Sequence, residues 1–447
     1  MAGPRVTILG GVREIGGSKV VVEDGPDRVL FDFGPSFSHV RDDFYVKFLQ
    51  PRSTTPVKDL LEFQLLPAVE GLYSEEALYG SELKYRAPEY HAVFLSHAHI
   101  DHAGHLDLVD RSIPVYVGEG TLGLLRAIEG SGGHGYGNHD WRTFAPGDKV
   151  RVGRIEVQPF PVDHSIPWAF GFLVRTSEGT VVYTGDFRAH GPRASSTHQF
   201  LAAAATESPA ALVLEGTRAG PTDPRRNFSE QGVREAVDHL LGSVPQLATV
   251  SCYPRDIDRL TTLYQAAQAA ERQFVVSLKT AHLLTTMAPL LPREAPVPGR
   301  SDGLLVYRRT KKTYFKWERP FLDEGVDAGF VHQHGPELLL ELGLPHFAEL
   351  IDVRPEAGSP YIHSMSEPFS EDDVDADVLH HWLEHFGLPF HQFHASGHCS
   401  ATELFQAVRE VGPRLVVPIH TEHPAEFEKA GRPVRSPELG VPIELPS

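Results

Sequence analysis

Short apolar runs separated by turn residues dominate the first two hundred positions. β-Branched and aromatic segments at 5–9, 19–22, 28–31, 92–95, 115–117, 155–159, 172–175 and 180–183 predict strands. Helical spacing intervenes only sparsely, at 122–128 and 201–205, so sheets are expected inside and helices outside. From about residue 217 the period changes. Residues 229–241 and 256–270 carry apolar positions at helical spacing and alternate with strand-like runs at 249–252 and 274–277, which predicts a parallel α/β unit. After about 390 a helix at 401–411 and a strand at 415–419 return to the first style. The simplest organisation is one sheet-rich domain interrupted by another, and 447 residues exceed what a single core supports. Residues 41–89 follow no clear period and are expected to decorate the surface.

Composition adds limits. Hydrophobic residues make up 41% and charged residues 22%, ordinary values for a globular enzyme, and no apolar run approaches a membrane helix. Val6-Thr7-Ile8-Leu9 runs straight into Gly10-Gly11-Val12-Arg13-Glu14, as a first strand does and a leader does not. These glycines fit neither dinucleotide nor P-loop spacing, so a tight turn is their expected role. Cys252 and Cys399 are too few for a disulfide framework, which points to a reducing compartment, the cytosol. The net charge of −18 argues against non-specific binding of nucleic acid, although bound metal would add positive charge that this count does not see.

Ser96-His97-Ala98-His99-Ile100-Asp101-His102 follows the apolar strand at 92–95 directly. Three imidazoles and a carboxylate in six positions offer nitrogen and oxygen donors together, which suits zinc. His164, in Pro161-Val162-Asp163-His164-Ser165, and Asp186, in Thr184-Gly185-Asp186-Phe187, follow other predicted strands and complete a site. His105, His134, His139 and His190 are read as packing residues, since most of the 25 histidines must have other roles; His105 is expected on the helix after the cluster.

At these residues the sequence resembles the metallo-β-lactamase superfamily, with Asp32 in Leu30-Phe31-Asp32-Phe33-Gly34 at the position of its early aspartate. The resemblance implies a residue-by-residue assignment. His97, His99 and His164 hold one zinc ion, Asp101, His102 and a later histidine hold a second, Asp186 bridges them, and Asp32 orients a ligand without binding metal. Leu212-Val213-Leu214-Glu215-Gly216-Thr217, Ser396-Gly397-His398 and Pro418-Ile419-His420 resemble the extra motifs of the β-CASP subgroup, which acts on nucleic acids. The opening glycine run and the two late motifs look most like ribonuclease J, whereas Glu-Gly-Thr looks closer to the endonucleases that process messenger RNA 3' ends. The fold implied is a mixed α/β one: an αββα sandwich formed by residues 1–215 and 391–447, interrupted by an α/β β-CASP domain at 216–390, with the active site between them.

The chemistry expected is hydrolysis of phosphodiester bonds in single-stranded RNA, from the 5' end or internally. Two metal ions would activate water. His398 is the candidate general acid, Glu215 holds its ring, and Asp101 is counted with them among the catalytic residues; His420 is left as the second zinc's nitrogen ligand. Cys399 is either a thiolate ligand or a small buried thiol. His394, Ser396 and Gly397 are candidates for cradling a terminal phosphate.

The segment from Tyr307 to Arg319 mixes cations with aromatic rings. It is either a stacking surface for a single strand, with Arg308 and Lys311 as its contacts, or a solvated basic face. Competing functions are a nuclease for single-stranded DNA, a small-molecule hydrolase that would leave Glu215, His398 and the insertion without purpose, and a non-catalytic RNA-binding scaffold that would lack ligands. No membrane contact is expected, and the short stretch after Pro-Ile-His leaves homo-oligomerisation open.

Overall fold

The computed structural model describes residues 3–37, 44–45, 48–220, 228–366 and 373–446. In chain order its strands are β1 (Arg5–Gly10), β2 (Lys19–Asp24), β3 (Asp27–Phe31), β4 (Ala92–Phe94), β5 (Val115–Gly118), β6 (Trp141–Phe144), β7 (Val150–Val152), β8 (Ile155–Val162), β9 (Ala169–Thr176), β10 (Gly179–Tyr183), β11 (Ala211–Glu215), β12 (Ala248–Cys252), β13 (Gln273–Ser277), β14 (Leu304–Tyr307), β15 (Leu338–Glu341), β16 (Tyr361–Ser364), β17 (Phe390–Gln392), β18 (Leu415–Ile419) and β19 (Pro442–Glu444). The chain divides into two compact units: Met1–Leu125, His134–Asp223 and Gly397–Ser447 form one, Arg126–Gly133 and Pro224–Ser396 the other.

The first unit stacks a seven-stranded sheet, ordered β19-β1-β2-β3-β4-β5-β6, on a six-stranded sheet, ordered β18-β11-β10-β9-β8-β7. Alternation along the strands builds its two cores. Val181 and Tyr183 of β10, Val213 of β11, and Val417 and Ile419 of β18 join Phe31 and Phe94 between the sheets. The residues between them, Val182, Leu212, Leu214 and Val416, face the other way and pack with Phe200, Leu201, Leu404 and Val408. Those last four lie on helices Ala194–Thr206 and Ala401–Val411. This is the αββα sandwich. Strand β4 is buried throughout and pairs in parallel with both β3 and β5, which explains its unbroken apolar run.

The second unit holds a six-stranded sheet, ordered β14-β13-β15-β12-β16-β17, in which every pairing is parallel. Its units alternate strand and helix, with caps where the sequence supplies them: Ser229, Asp256 and Ser277 each accept a hydrogen bond from the backbone of the following first turn.

Several expectations need correction. Residues 391–396 belong to the second unit and 216–220 to the first, against the boundaries read from sequence. The cause is β17, a three-residue strand too short for a periodic signal, which pairs with β16 and extends the parallel sheet. Residues 126–133 also fall in the second unit. The segment 41–89, of which 41–43 and 46–47 lie outside the described residues, is more than decoration: it holds helix Pro56–Glu62 and buries Val57, Leu66, Leu72 and Tyr73. His105 lies on a turn after the short helix Ile100–Ala103, where its ring meets Phe33 edge-on. No described helix is long and apolar enough to cross a membrane.

Candidate metal centre

The first unit gathers its polar side chains where strands end. Asp32 follows β3, Ser96 to His99 follow β4, His164 follows β8, Asp186 follows β10, Glu215 closes β11, and His420 follows β18. Asp101 and His102 lie on helix Ile100–Ala103, with His99 as its N-cap. The helix can sit against the end of β3 only because residue 34 is glycine, since a Cβ there would lie 2.1 Å from the Asp101 carbonyl carbon. The early glycine run makes the expected tight turns, with φ of 78° at Gly11 and 81° at Gly16.

Two histidine-rich donor sets overlap here, and a third group, Asp186, Glu215 and His398, adjoins them. His97, His99, His164 and Asp186 form one, and Asp101, His102, Asp186 and His420 the other; within each set the nearest donor atoms lie within 4.8 Å of one another. His97 Nε2 and His164 Nε2 lie 3.0 and 3.1 Å from His99 Nδ1. On the other side, His420 Nε2 is 3.0 Å and His102 Nε2 3.6 Å from Asp101 Oδ2. Asp186 belongs to both. Its Oδ2 is 3.1 Å from His102 Nε2, 3.6 Å from His420 Nε2 and 3.8 Å from His97 Nε2, while its buried Oδ1 has no hydrogen-bond partner.

The far side of each ring is held. His102 Nδ1–H donates to Asp32 Oδ2 at 2.8 Å and His164 Nδ1–H to the Gly397 carbonyl at 2.6 Å, so Nε2 faces the donor set in each case. His97 Nδ1 lies 2.9 Å from Ser96 Oγ, which itself donates to Asp32. His420 Nδ1 pairs with Thr217 Oγ1 at 2.8 Å. Asp32 also accepts from the Tyr183 hydroxyl and the Ser96 amide. Asp32 and His420 both sit at positive φ, 57° and 51°, a strained conformation fixed here by backbone bonds to Phe94 and Gly11.

The electrostatics favour a cation. Burial, together with neighbouring imidazoles, pushes His97 and His164 well below the usual histidine range, so both are neutral donors. Burial would also depress His102 and His420, but the carboxylates of Asp186 and Asp101 outweigh it, raising His102 well above that range and His420 to about 9. Asp186 is held well below the carboxylate range by His102 and His420 despite its burial. Three buried carboxylates thus draw positive charge to one point. The neutral imidazoles of His97 and His164, the carboxylates that hold positive charge on His102 and His420, and an orphaned Asp186 oxygen together fit metal ions.

Beside these sets, His398 Nδ1–H donates to Glu215 Oε1 at 3.0 Å, and Glu215 in turn accepts from the backbone amides of Phe187 and Thr217. Glu215 is buried, whereas the His398 side chain keeps 21% of its surface, enough to reach a substrate. Cys399 is buried, and burial pushes its thiol well above the ordinary range, which favours the buried-thiol reading over a thiolate ligand. Both cysteines are free. Neither should react with iodoacetamide in the native protein, and both should after unfolding; mass spectrometry of the native protein showing alkylated Cys399 would contradict this.

The phosphate-cradle candidates do not share one surroundings. His394 is buried in the second unit, 3.3 Å from Arg259, whereas Gly397 in the first unit uses its carbonyl to hold His164. Sequence reasoning missed several supports. Ser96, Tyr183 and Thr217 fix ligands, and buried Lys19 donates to the carbonyls of Gly17 and of Gly34, the latter packed against the Asp101 helix. Burial lowers the Lys19 ammonium to about 8, against the pull of Glu14 and Asp101. Asp163, next to His164, makes a fully buried pair with Arg188 at 3.0 Å and accepts from the Arg193 amide. Asp163→Ala breaks this buried pair and should lower the urea midpoint.

The fold and the donor sets define a metallo-β-lactamase-fold protein, and residues 28–240 match the β-lactamase superfamily domain. Over most of its length the chain is similar to proteins named ribonuclease J. It is 26% identical over 379 residues to ribonuclease J of Sinorhizobium meliloti, an alignment that covers 80% of this chain and spans only 61% of that protein's length. Ribonuclease J of Thermus thermophilus is 26% identical over 457 residues, covering 97% of this chain and 72% of its own. Ribonuclease J2 of Bacillus subtilis is 24% identical over 429 residues, 94% of this chain and 69% of that one. A protein of unknown function from Enterococcus faecalis has the same fold over 99% of this chain and 100% of its own, with a TM-score of 0.82 and 24% identity.

Proposed function

We propose that the chain is a metal-dependent ribonuclease that hydrolyses phosphodiester bonds of single-stranded RNA in RNA processing or decay, with two zinc ions as its cofactor. The observation that carries this reading is Asp186, whose one carboxylate lies against both histidine sets. The names of the similar proteins favour RNA as the substrate. The two free cysteines accord with a cytosolic setting.

His97, His99 and His164 would hold one ion, Asp101, His102 and His420 the other, and Asp186 would reach both. Such ions, when bound, supply Lewis acidity to the phosphate and lower the pKa of water toward neutrality. The chain's own residues do the rest. Asp32, Thr217 and the Gly397 carbonyl keep ligand rings in one orientation. Glu215 holds the Nδ1–H of His398, leaving Nε2 to carry a proton to the leaving oxygen, and charged imidazolium forms there at the cost that Glu215 offsets.

The test is digestion of RNA labelled at either end, with 5'-phosphate or 5'-hydroxyl, by metal-loaded protein, alongside matched DNA. Mononucleotides released from a phosphorylated 5' end would indicate exonuclease action and internal fragments endonuclease action. Faster cleavage of DNA would overturn the RNA assignment, and no cleavage of either, with metal bound, the nuclease reading.

A further inference from the structure

In the second unit, three adjacent strands of the parallel sheet, β14, β13 and β15, end at one cavity of about 560 Å³. Their last residues, Tyr307, Ser277 and Glu341, all line it. The chain leaves β13 toward β14 on one side and leaves β15 toward β16 on the other, so β13 and β15 part their connections in opposite directions. Ligands of open parallel sheets bind in the crevice that such a parting opens at the carboxyl ends of the strands. The size suits a small ligand.

The lining says which kind. Glu129, Glu318 and Glu341 are its carboxylates, and each is engaged: Glu129 with Arg126, Glu318 with Lys311, and Glu341 with Ser277 and the Thr280 hydroxyl. Lys279, Arg309 and Lys316 line the same cavity and make no ion pair among the described residues. These three cations outnumber the one lining carboxylate that has no cationic partner, Glu341, in a chain whose net charge is −18. Arg309 and Lys279 come near enough to His346, another lining residue, to add to the lowering that burial imposes on it. Next to them are exposed Phe315 and half-buried Trp317, with rings nearly parallel at 7° and centroids 6.4 Å apart. Cations beside an accessible aromatic platform match a phosphate and a base held together. The segment from Tyr307 to Arg319 therefore divides. Arg308 is 3.6 Å from Asp327 and Lys311 is paired with Glu318, whereas Arg309 and Lys316 make no ion pair among the described residues.

We propose that this cavity binds a nucleoside phosphate, its phosphate on Lys279, Arg309 and Lys316 and its base on Trp317 or Phe315. The site shares no residue with the metal donor sets and does not depend on the nuclease reading. Free mononucleotide and a nucleotide within an RNA strand present the same chemistry, and the experiment separates them.

Calorimetric titration of the full chain with AMP is compared with the same titration of Lys279→Glu, Lys316→Glu and Trp317→Ala. Each variant should bind AMP about tenfold or more weakly, a loss of about 1.4 kcal/mol, with metal content and thermal midpoint unchanged. Arg293→Glu, an exposed cation of the same unit that does not line the cavity, should bind as the parent does. Unchanged affinity in the two lysine variants, equal weakening by Arg293→Glu, or no AMP binding up to about 1 mM would each overturn the site. Trp317→Ala is half-buried and could unfold; the lysine variants are exposed and decide the question alone. Displacement of AMP by a single-stranded tetranucleotide supports the site with the strand as occupant. Failure to displace supports it with the free nucleotide. Loss of catalysis at the metal centre moves neither result.

Discussion

Asp186→Ala should abolish both metal retention and the proposed RNA cleavage. The expected drop in kcat is about three orders of magnitude or more, because the one carboxylate that reaches both histidine sets is gone and several kcal/mol of charge stabilisation go with it. The fold should survive, since the side chain's only hydrogen-bonding oxygen contacts other donors of the site. Elemental analysis after dialysis reads the metal, and circular dichroism the fold. A variant that keeps two equivalents of metal and parental turnover would remove Asp186 from the centre.

His398→Ala should separate chemistry from metal binding. The ring touches Glu215, lies 4.0 Å from Asp186 and is the most exposed of the histidines whose side chains lie nearest that carboxylate. Losing a general acid costs about 10²- to 10⁴-fold in turnover. Metal content should stay at the parental value, and a substrate whose leaving group needs no proton should recover most of the rate. Loss of metal instead would make His398 a ligand. Glu215→Gln should fall between, since the amide still accepts the Nδ1–H but no longer balances a charged ring.

How much of this was legible depends on sequence distance. Four donors lie within six residues after one apolar strand, and that crowding alone announced the centre. His164 and Asp186 were legible because each follows a strand that its β-branched pattern exposes. His420 and His398 were reached through the resemblance, since an isolated histidine carries no local signal. Asp32 came the same way. Ser96, Tyr183 and Lys19 were not legible as supports, because a serine, a tyrosine or a lysine in a strand reads as packing until the fold shows what it touches. The short β-branched runs gave a sheet-rich module and the resemblance gave the sandwich, but β6, β7 and β17 are three or four residues long and gave no pattern to read. The paired state of Arg308 and Lys311 was likewise invisible, for Asp327 and Glu318 lie several residues away.

His420 meets Asp101 across 319 residues, with the whole second unit encoded between them. A ribosome would therefore have finished that entire insert, and then made β18, before the last imidazole could arrive. Until then the emerging polypeptide holds six of its seven candidate donors, and the set around Asp101 lacks its last nitrogen.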